Sequence, residues 1–201
     1  MLVHPGNHIG DTWYFVDGNT AHMFYLTCPE DIPRHTQWDI AHAVSSELTT
    51  WERKGTVVKR GEGKEWDYSC ATGSVIRFNG RYWMAYTGNW RGPVAAFGLA
   101  LSDDLSSWKK CDYNPVTTID TRYYEPVGSG ERTFPHWRDP FLFVHDGRVY
   151  HYTCASKNYG SPDSRGTVGF ARTEDMIHWE VLPPPELDDI AQELECPQLK
   201  S

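Results

Sequence analysis

Ala43-Val44-Ser45-Ser46-Glu47-Leu48-Thr49-Thr50-Trp51 returns as Ala100-Leu101-Ser102-Asp103-Asp104-Leu105-Ser106-Ser107-Trp108, and again as Ala171-Arg172-Thr173-Glu174-Asp175-Met176-Ile177-His178-Trp179. The shared frame is Ala, then Ser or Thr two places on, an acid, Leu or Met, and a closing Trp. Upstream of each copy two β-rich runs flank Asp17-Gly18, Asn79-Gly80 or Asp146-Gly147. Such pairs are strong short-range hairpin signals, because a type I′ turn needs positive φ at both central positions. Each unit therefore reads as a hairpin plus at least one more strand ending in the Trp, and no helical periodicity of useful length interrupts the series. Repeats of this kind are blades of a β-propeller. Successive tryptophans stand 57 and 71 residues apart, long for a compact blade. That spacing predicts long inserted loops, at Lys54–Trp66, Asp112–Arg138 and Lys157–Arg165.

Composition narrows the partner. Lys and Arg number 19 against 27 Asp and Glu, for a net charge of -8, so a nucleic-acid backbone would be repelled over most of the surface and a neutral ligand fits better. Aromatics form 14% of the chain, with nine Trp and eleven Tyr, enough both for β-core packing and for flat platforms under sugar rings. No apolar run is long enough to cross a membrane as a helix. The start, Met1 to Asp11, lacks the basic-then-apolar order of a signal peptide, which favours a cytoplasmic location over secretion. Five cysteines lie scattered singly with no C-x-x-C pair, arguing against a disulfide framework or a structural zinc site. No H-E-x-x-H cluster appears either, and we expect no essential metal and no cofactor.

Aligning the units on the hairpin glycine brings out the acids. Asp11 lies seven residues before Gly18, Asp139 eight before Gly147, and the second unit has Gly73 at that place. After Trp179 a fourth unit begins at Glu195-Cys196-Pro197, an acid-then-Pro start like Asp139-Pro140. In a propeller the first strand of each blade is innermost, so equivalent strand ends ring one funnel. Asp11, Asp139 and Glu195 are therefore expected to converge. Carboxylates crowded in a partly desolvated pocket have their pKa values pushed apart, which suits acid-assisted cleavage of a glycosidic bond.

His22-Met23-Phe24-Tyr25, Ala41-His42-Ala43-Val44-Ser45, Thr72-Gly73-Ser74-Val75, Tyr86-Thr87-Gly88-Asn89, Arg138-Asp139-Pro140 and Glu195-Cys196-Pro197 resemble, in order, the motif series of glycoside hydrolase family 32. That family holds invertases, levanases, inulinases and other β-fructofuranosidases. The resemblance runs from about Gly10 to Leu199 and implies an all-β, five-bladed β-propeller. This chain would hold about three blades, near residues 10–53, 68–112 and 138–182, and the start of a fourth at 192–201. It further implies a retaining hydrolase of β-fructofuranosyl bonds in disaccharides or oligosaccharides. Asp11 would be the nucleophile, Glu195 the general acid/base and Asp139 the transition-state stabiliser. Arg138 would orient Asp139, Thr72 would bind substrate, and Trp38 could be a sugar platform. Cys196 would keep the surroundings of Glu195 apolar.

Two positions depart from the pattern. The family's usual opening, W-M-N-D-P-N-G, is replaced by Asn7-His8-Ile9-Gly10-Asp11-Thr12-Trp13, and the Gln that usually follows F-Y is Leu26. A neighbouring reading is an inverting propeller glycosidase of the family 43 arabinosidase and xylosidase type. A second is a non-catalytic carbohydrate-binding propeller. Three blades and a fragment leave the ring open with unpaired sheet edges, which predicts either self-association or completion by further blades of a longer chain.

Overall fold

The computed structural model describes residues 2–88, 95–126, 136–188 and 191–199. Three antiparallel sheets follow one another along the chain. The first runs in order through β1 (Asn7–Asp17), β2 (Thr20–Pro29), β3 (Asp39–Ser45) and β4 (Glu52–Val58). The second holds β5 (Cys70–Phe78), β6 (Arg81–Gly88), β7 (Ala96–Ser102) and the short β8 (Lys109–Lys110), and β9 (Thr117–Thr118) also pairs with β7. The third holds β10 (Trp137–His145), β11 (Arg148–Ser156), β12 (Gly166–Thr173) and β13 (Glu180–Leu182). One 3-10 turn at Pro162–Ser164 is the single helical element among the described residues. These are three consecutive blades of a partial β-propeller. Part of the expected loop Asp112–Arg138, at 127–135, lies outside the described residues, as do Asn89 and the last two residues of the chain.

Turn chemistry accounts for the hairpins, with one shift. Asn79-Gly80 and Asp146-Gly147 are the two central residues of their turns, and all four have positive φ, as type I′ demands. In the first blade Asp17 pairs with Thr20, so the loop is Gly18-Asn19 rather than Asp17-Gly18, and only Gly18 has positive φ. A glycine in first place with φ of 56° suits a type II′ turn, the other two-residue hairpin loop.

The Trp repeat proves to be a corner, not a strand end. The hydroxyls of Ser45, Ser102 and Thr173 each accept the N–H of the Leu or Met three residues on, at 2.9, 2.9 and 3.0 Å. That residue sits left-handed, with φ of 66°, 62° and 66° at Leu48, Leu105 and Met176. Its carbonyl then accepts the indole N–H of Trp51, Trp108 or Trp179. The corner turns the chain into a fourth strand, so residues Glu52–Val58 form β4 where a loop from Lys54 was expected. The three tryptophans occupy equivalent sites and are half-buried.

Apolar side chains fill the space between sheets. Trp13, Phe24 and Leu26 of blade one meet Val75, Met84 and Tyr86 of blade two, and Phe78, Phe97 and Leu99 of blade two meet Leu142 and Val149 of blade three. The corner of each later blade packs onto the blade before it, Trp108 edge-on to Phe24 at 5.6 Å and Trp179 edge-on to Phe97 at 5.3 Å. Leu105 and Met176 are accordingly 2% and 1% exposed, whereas Leu48, at the corner of the first blade, is 65% exposed. The far face of blade three carries a half-buried ladder of Phe143, Tyr150, Phe170 and Tyr152, ring centroids 4.9–5.6 Å apart.

Candidate active site

Each innermost strand breaks register at the same place. The ladder of β1 slips between Ile9 and Thr12, that of β5 between Ala71 and Gly73, and that of β10 between Arg138 and Phe141. A bulge of this kind adds one residue and re-aims its side chain. The residues freed are Gly10 and Asp11, Thr72, and Asp139 with Pro140. The counterpart of the two acids in blade two is therefore Thr72, one place before the Gly73 that the glycine alignment selects. A threonine near the end of each second strand bonds a carbonyl at or just before the slip: Thr27 donates to His8 O, Thr87 to Thr72 O and Thr153 to Arg138 O.

One cavity of about 380 Å³ collects the result. Its lining includes Asp11, Asp139 and Glu195 together with Trp38, Thr72 and Arg138. These six and Cys196, all singled out from the sequence, thus face one space, whose size falls within the range of small-molecule sites. Asp11 is exposed to it, and one of its carboxylate oxygens accepts the Thr72 hydroxyl at 2.7 Å. Asp139 is buried, in a left-handed conformation (φ 61°) that a non-glycine residue before proline seldom adopts. Its own N–H, released from the ladder by the bulge, donates to Thr87 Oγ1 of the neighbouring blade at 2.9 Å. Glu195 arrives on the segment after β13, outside any strand, with a side chain 61% exposed.

Charge in the cavity is unevenly shared. Burial pushes the Asp139 carboxyl above the ordinary aspartate range, Arg138 and the Cys196 backbone N–H pull it back, and Glu195 and Asp11 add to the rise. Arg138 is 5% exposed and would be harder to charge for that reason, but Cys154, Glu193, Glu195 and Asp139 around it more than reverse the effect. Its Nη2 donates both to Glu195 Oε1, at 2.6 Å, and to Glu193 Oε1. Ligating atoms of His136, Cys154 and Glu193 gather within 4.8 Å of one another. That group reads as an ion-pair network, because Glu193 Oε1 already accepts from Arg138 and faces His136 Nε2 at 3.1 Å.

A raised aspartate pKa has a checkable cost. Such a group destabilises the folded state when ionised, above its folded pKa, and the penalty vanishes below the unfolded value near 3.9. Asp139→Asn keeps the shape and tolerates the left-handed backbone. The variant should resist urea better than the parent at pH 7 and equal it near pH 3; a less stable variant at pH 7 would show that Arg138 outweighs burial.

Against this geometry, a model of the family described as Glycosyl hydrolases family 32 N-terminal domain matches residues 11–201. The chain belongs to glycosyl hydrolase family 32. A sucrose-6-phosphate hydrolase from Lactococcus lactis subsp. lactis is 27% identical to this family 32 chain over 136 residues, 64% of the chain and 26% of the relative. The crystal structure of fructan 1-exohydrolase IIa from Cichorium intybus superposes with a TM-score of 0.76 at 22% identity, covering 98% of the chain and 36% of that protein. A fructofuranosidase from Schwanniomyces occidentalis, complexed with fructose, gives 0.73 at 17% identity, over 99% of the chain and 38% of that protein. The chain spans about a quarter of the length of the curated relative it matches.

Several features of the family 32 cavity were not read from the sequence. Arg34 and His35 also line it, and they sit in a loop between β2 and β3 with no repeat counterpart. Leu26 and Gly10, the two departures from the family pattern, lie together there, a Cβ on Gly10 falling 3.0 Å from that of Leu26 and 3.4 Å from the Trp38 ring. Trp38 is only 1% exposed, which makes it a wall more than a stacking platform. Cys196 is exposed, so it does not give Glu195 an apolar cover.

Proposed function

We propose that this chain carries the reacting carboxylates of a retaining β-fructofuranosidase acting on sucrose-like disaccharides or fructan oligosaccharides. The observation that carries the reading is the meeting of Asp11, Asp139 and Glu195, from three separate parts of the chain, in one cavity beside Arg138. Family membership and the relatives themselves, a sucrose-6-phosphate hydrolase, a fructan 1-exohydrolase and a fructofuranosidase complexed with fructose, support the fructosyl class.

In this reading an Asp11 carboxylate oxygen attacks the anomeric carbon of the fructosyl unit while Glu195 gives its proton to the departing glycosidic oxygen. The bond to the leaving sugar breaks and an ester to Asp11 forms. Glu195, now ionised, takes a proton from water, whose oxygen displaces Asp11 and releases fructose with its configuration retained. Thr72 aims Asp11 through its hydroxyl, and Asp139 with Arg138 engages the sugar hydroxyls.

Incubation with sucrose, sucrose 6-phosphate, inulin, levan and aryl glycosides, with the product anomer followed by NMR, tests this. Fructose released with retention is expected. Glu195→Gln should lose about 10²–10⁴-fold on natural substrates, but far less where the leaving group needs no proton. Release with inversion would overturn the nucleophile role in favour of a water-activating one. Cleavage of arabinosides or xylosides alone would overturn the fructosyl class.

A further inference from the structure

Among the described residues, Glu193 is the carboxylate near the cavity to which neither the repeat nor the mechanism gives a task. The segment that bears it, Ala191 to Cys196, belongs to no strand and is held on blade three at three points. Gly166 N, at the start of β12, donates to Ala191 O at 3.0 Å. The approach needs a bare glycine, since a Cβ on Gly166 would lie 2.5 Å from Glu193 N. At the far end the Cys196 N–H bonds the Asp139 carboxylate. Between them Glu193 Oε1 takes Arg138 Nη2 and His136 Nε2, and His136 is itself fixed by Nδ1 to Ser156 Oγ at 2.8 Å.

The detail that matters is that a single nitrogen, Arg138 Nη2, serves Glu193 and Glu195 together. A guanidinium bonded to one carboxylate favours its ionised form. An acid that must hand over a proton is poorly served by such a partner. A second carboxylate on the same nitrogen divides the cation's field and adds its own repulsion, and both effects return the proton to the first. We propose that Glu193 is a positioning residue for Glu195: it ties the segment to blade three and, by sharing Arg138, lets Glu195 stay protonated to higher pH. This rests on the reading of Glu195 as the acid/base. The other charged or titratable groups facing the pair are Asp139 and Asp11 from the bulges, Cys154 of β11, Cys196, His136, and Arg34 and His35 across the cavity.

The test is a carbon-13 carboxyl NMR titration of Glu195 in the parent, Glu193→Gln and Glu193→Asp, with Glu195→Gln to assign the signal. Removing the charge should move the Glu195 midpoint to lower pH, by an amount that solvent keeps small because the group is well exposed. The Asp variant, which keeps the charge, should stay near the parent. Thermal midpoints are read alongside, because a merely structural residue would lower stability in both variants without ordering the titrations by charge. An unmoved midpoint in the Gln variant, or equal shifts in both, overturns the proposal. A shift confined to the Gln variant in a protein that hydrolyses none of the fructosides leaves charge sharing in place and removes the acid/base reading instead.

Discussion

Asp11→Asn should bring fructoside hydrolysis down to background, a loss of at least about 10⁴-fold in kcat/KM, because an amide oxygen cannot form the glycosyl ester. The substitution is nearly isosteric, and the oxygen that accepts the Thr72 hydroxyl at 2.7 Å is retained. Asp11 is exposed and takes no part in the sheet ladder, so the unfolding midpoint should not move. The pair of measurements separates chemistry from folding: lost turnover with an unchanged midpoint supports the nucleophile. Near-normal turnover removes that role and with it the equivalence of Asp11 and Asp139. Asp11→Asn and Glu195→Gln should also differ in kind, since an activated leaving group rescues only the second.

Trp137→Ala should cost about 3–5 kcal/mol in denaturant unfolding, a large part of the roughly 5–15 kcal/mol a domain has to lose. Trp137 is fully buried at the head of β10 and donates its indole N–H to Thr117 Oγ1 at 3.1 Å. Its ring meets Tyr124 at 5.0 Å and, edge-on, His151 at 5.7 Å. Gly169 makes the room, for a Cβ there would stand 2.5 Å from the indole. His151 is fully enclosed, its pKa pushed down to about 3 by burial, and is therefore neutral at ordinary pH. Water entering the space left by the indole would reach it. Because Arg138 and Asp139 follow directly on the same strand, activity should fall with stability, and a variant as stable as the parent would deny Trp137 its structural part.

Blade number and hairpin positions could be read from the sequence because each blade spells the same local chemistry. Positive φ at Asn79-Gly80 and Asp146-Gly147, and the Ser or Thr to Leu or Met to Trp corner, are decided within a few residues of chain. The candidate site was legible to the extent that it inherits this repeat, hence Asp11 and Asp139. What depends on contacts between blades was not. Thr72 could be placed opposite Asp11 only once the β5 bulge was seen, since counting back from the glycine lands on Gly73. Trp38 reads as a platform by residue type alone, but β2, β3 and the loop before β5 close around it. Arg34, His35 and Glu193 sit in non-repeating connections, where no periodicity marks them.

The three bulges have a consequence for how such a site can change. A bulge leaves the pairing on either side of it intact, so the residue it presents is nearly uncoupled from the sheet that carries it. The propeller thus behaves as a ring of sockets of one geometry, holding an acid in blades one and three and a hydroxyl in blade two. Exchange of a side chain in a socket alters the reagent without redesigning the scaffold. Chemical diversity on this fold can therefore arise one residue at a time, while the strand register that places each reagent stays the same.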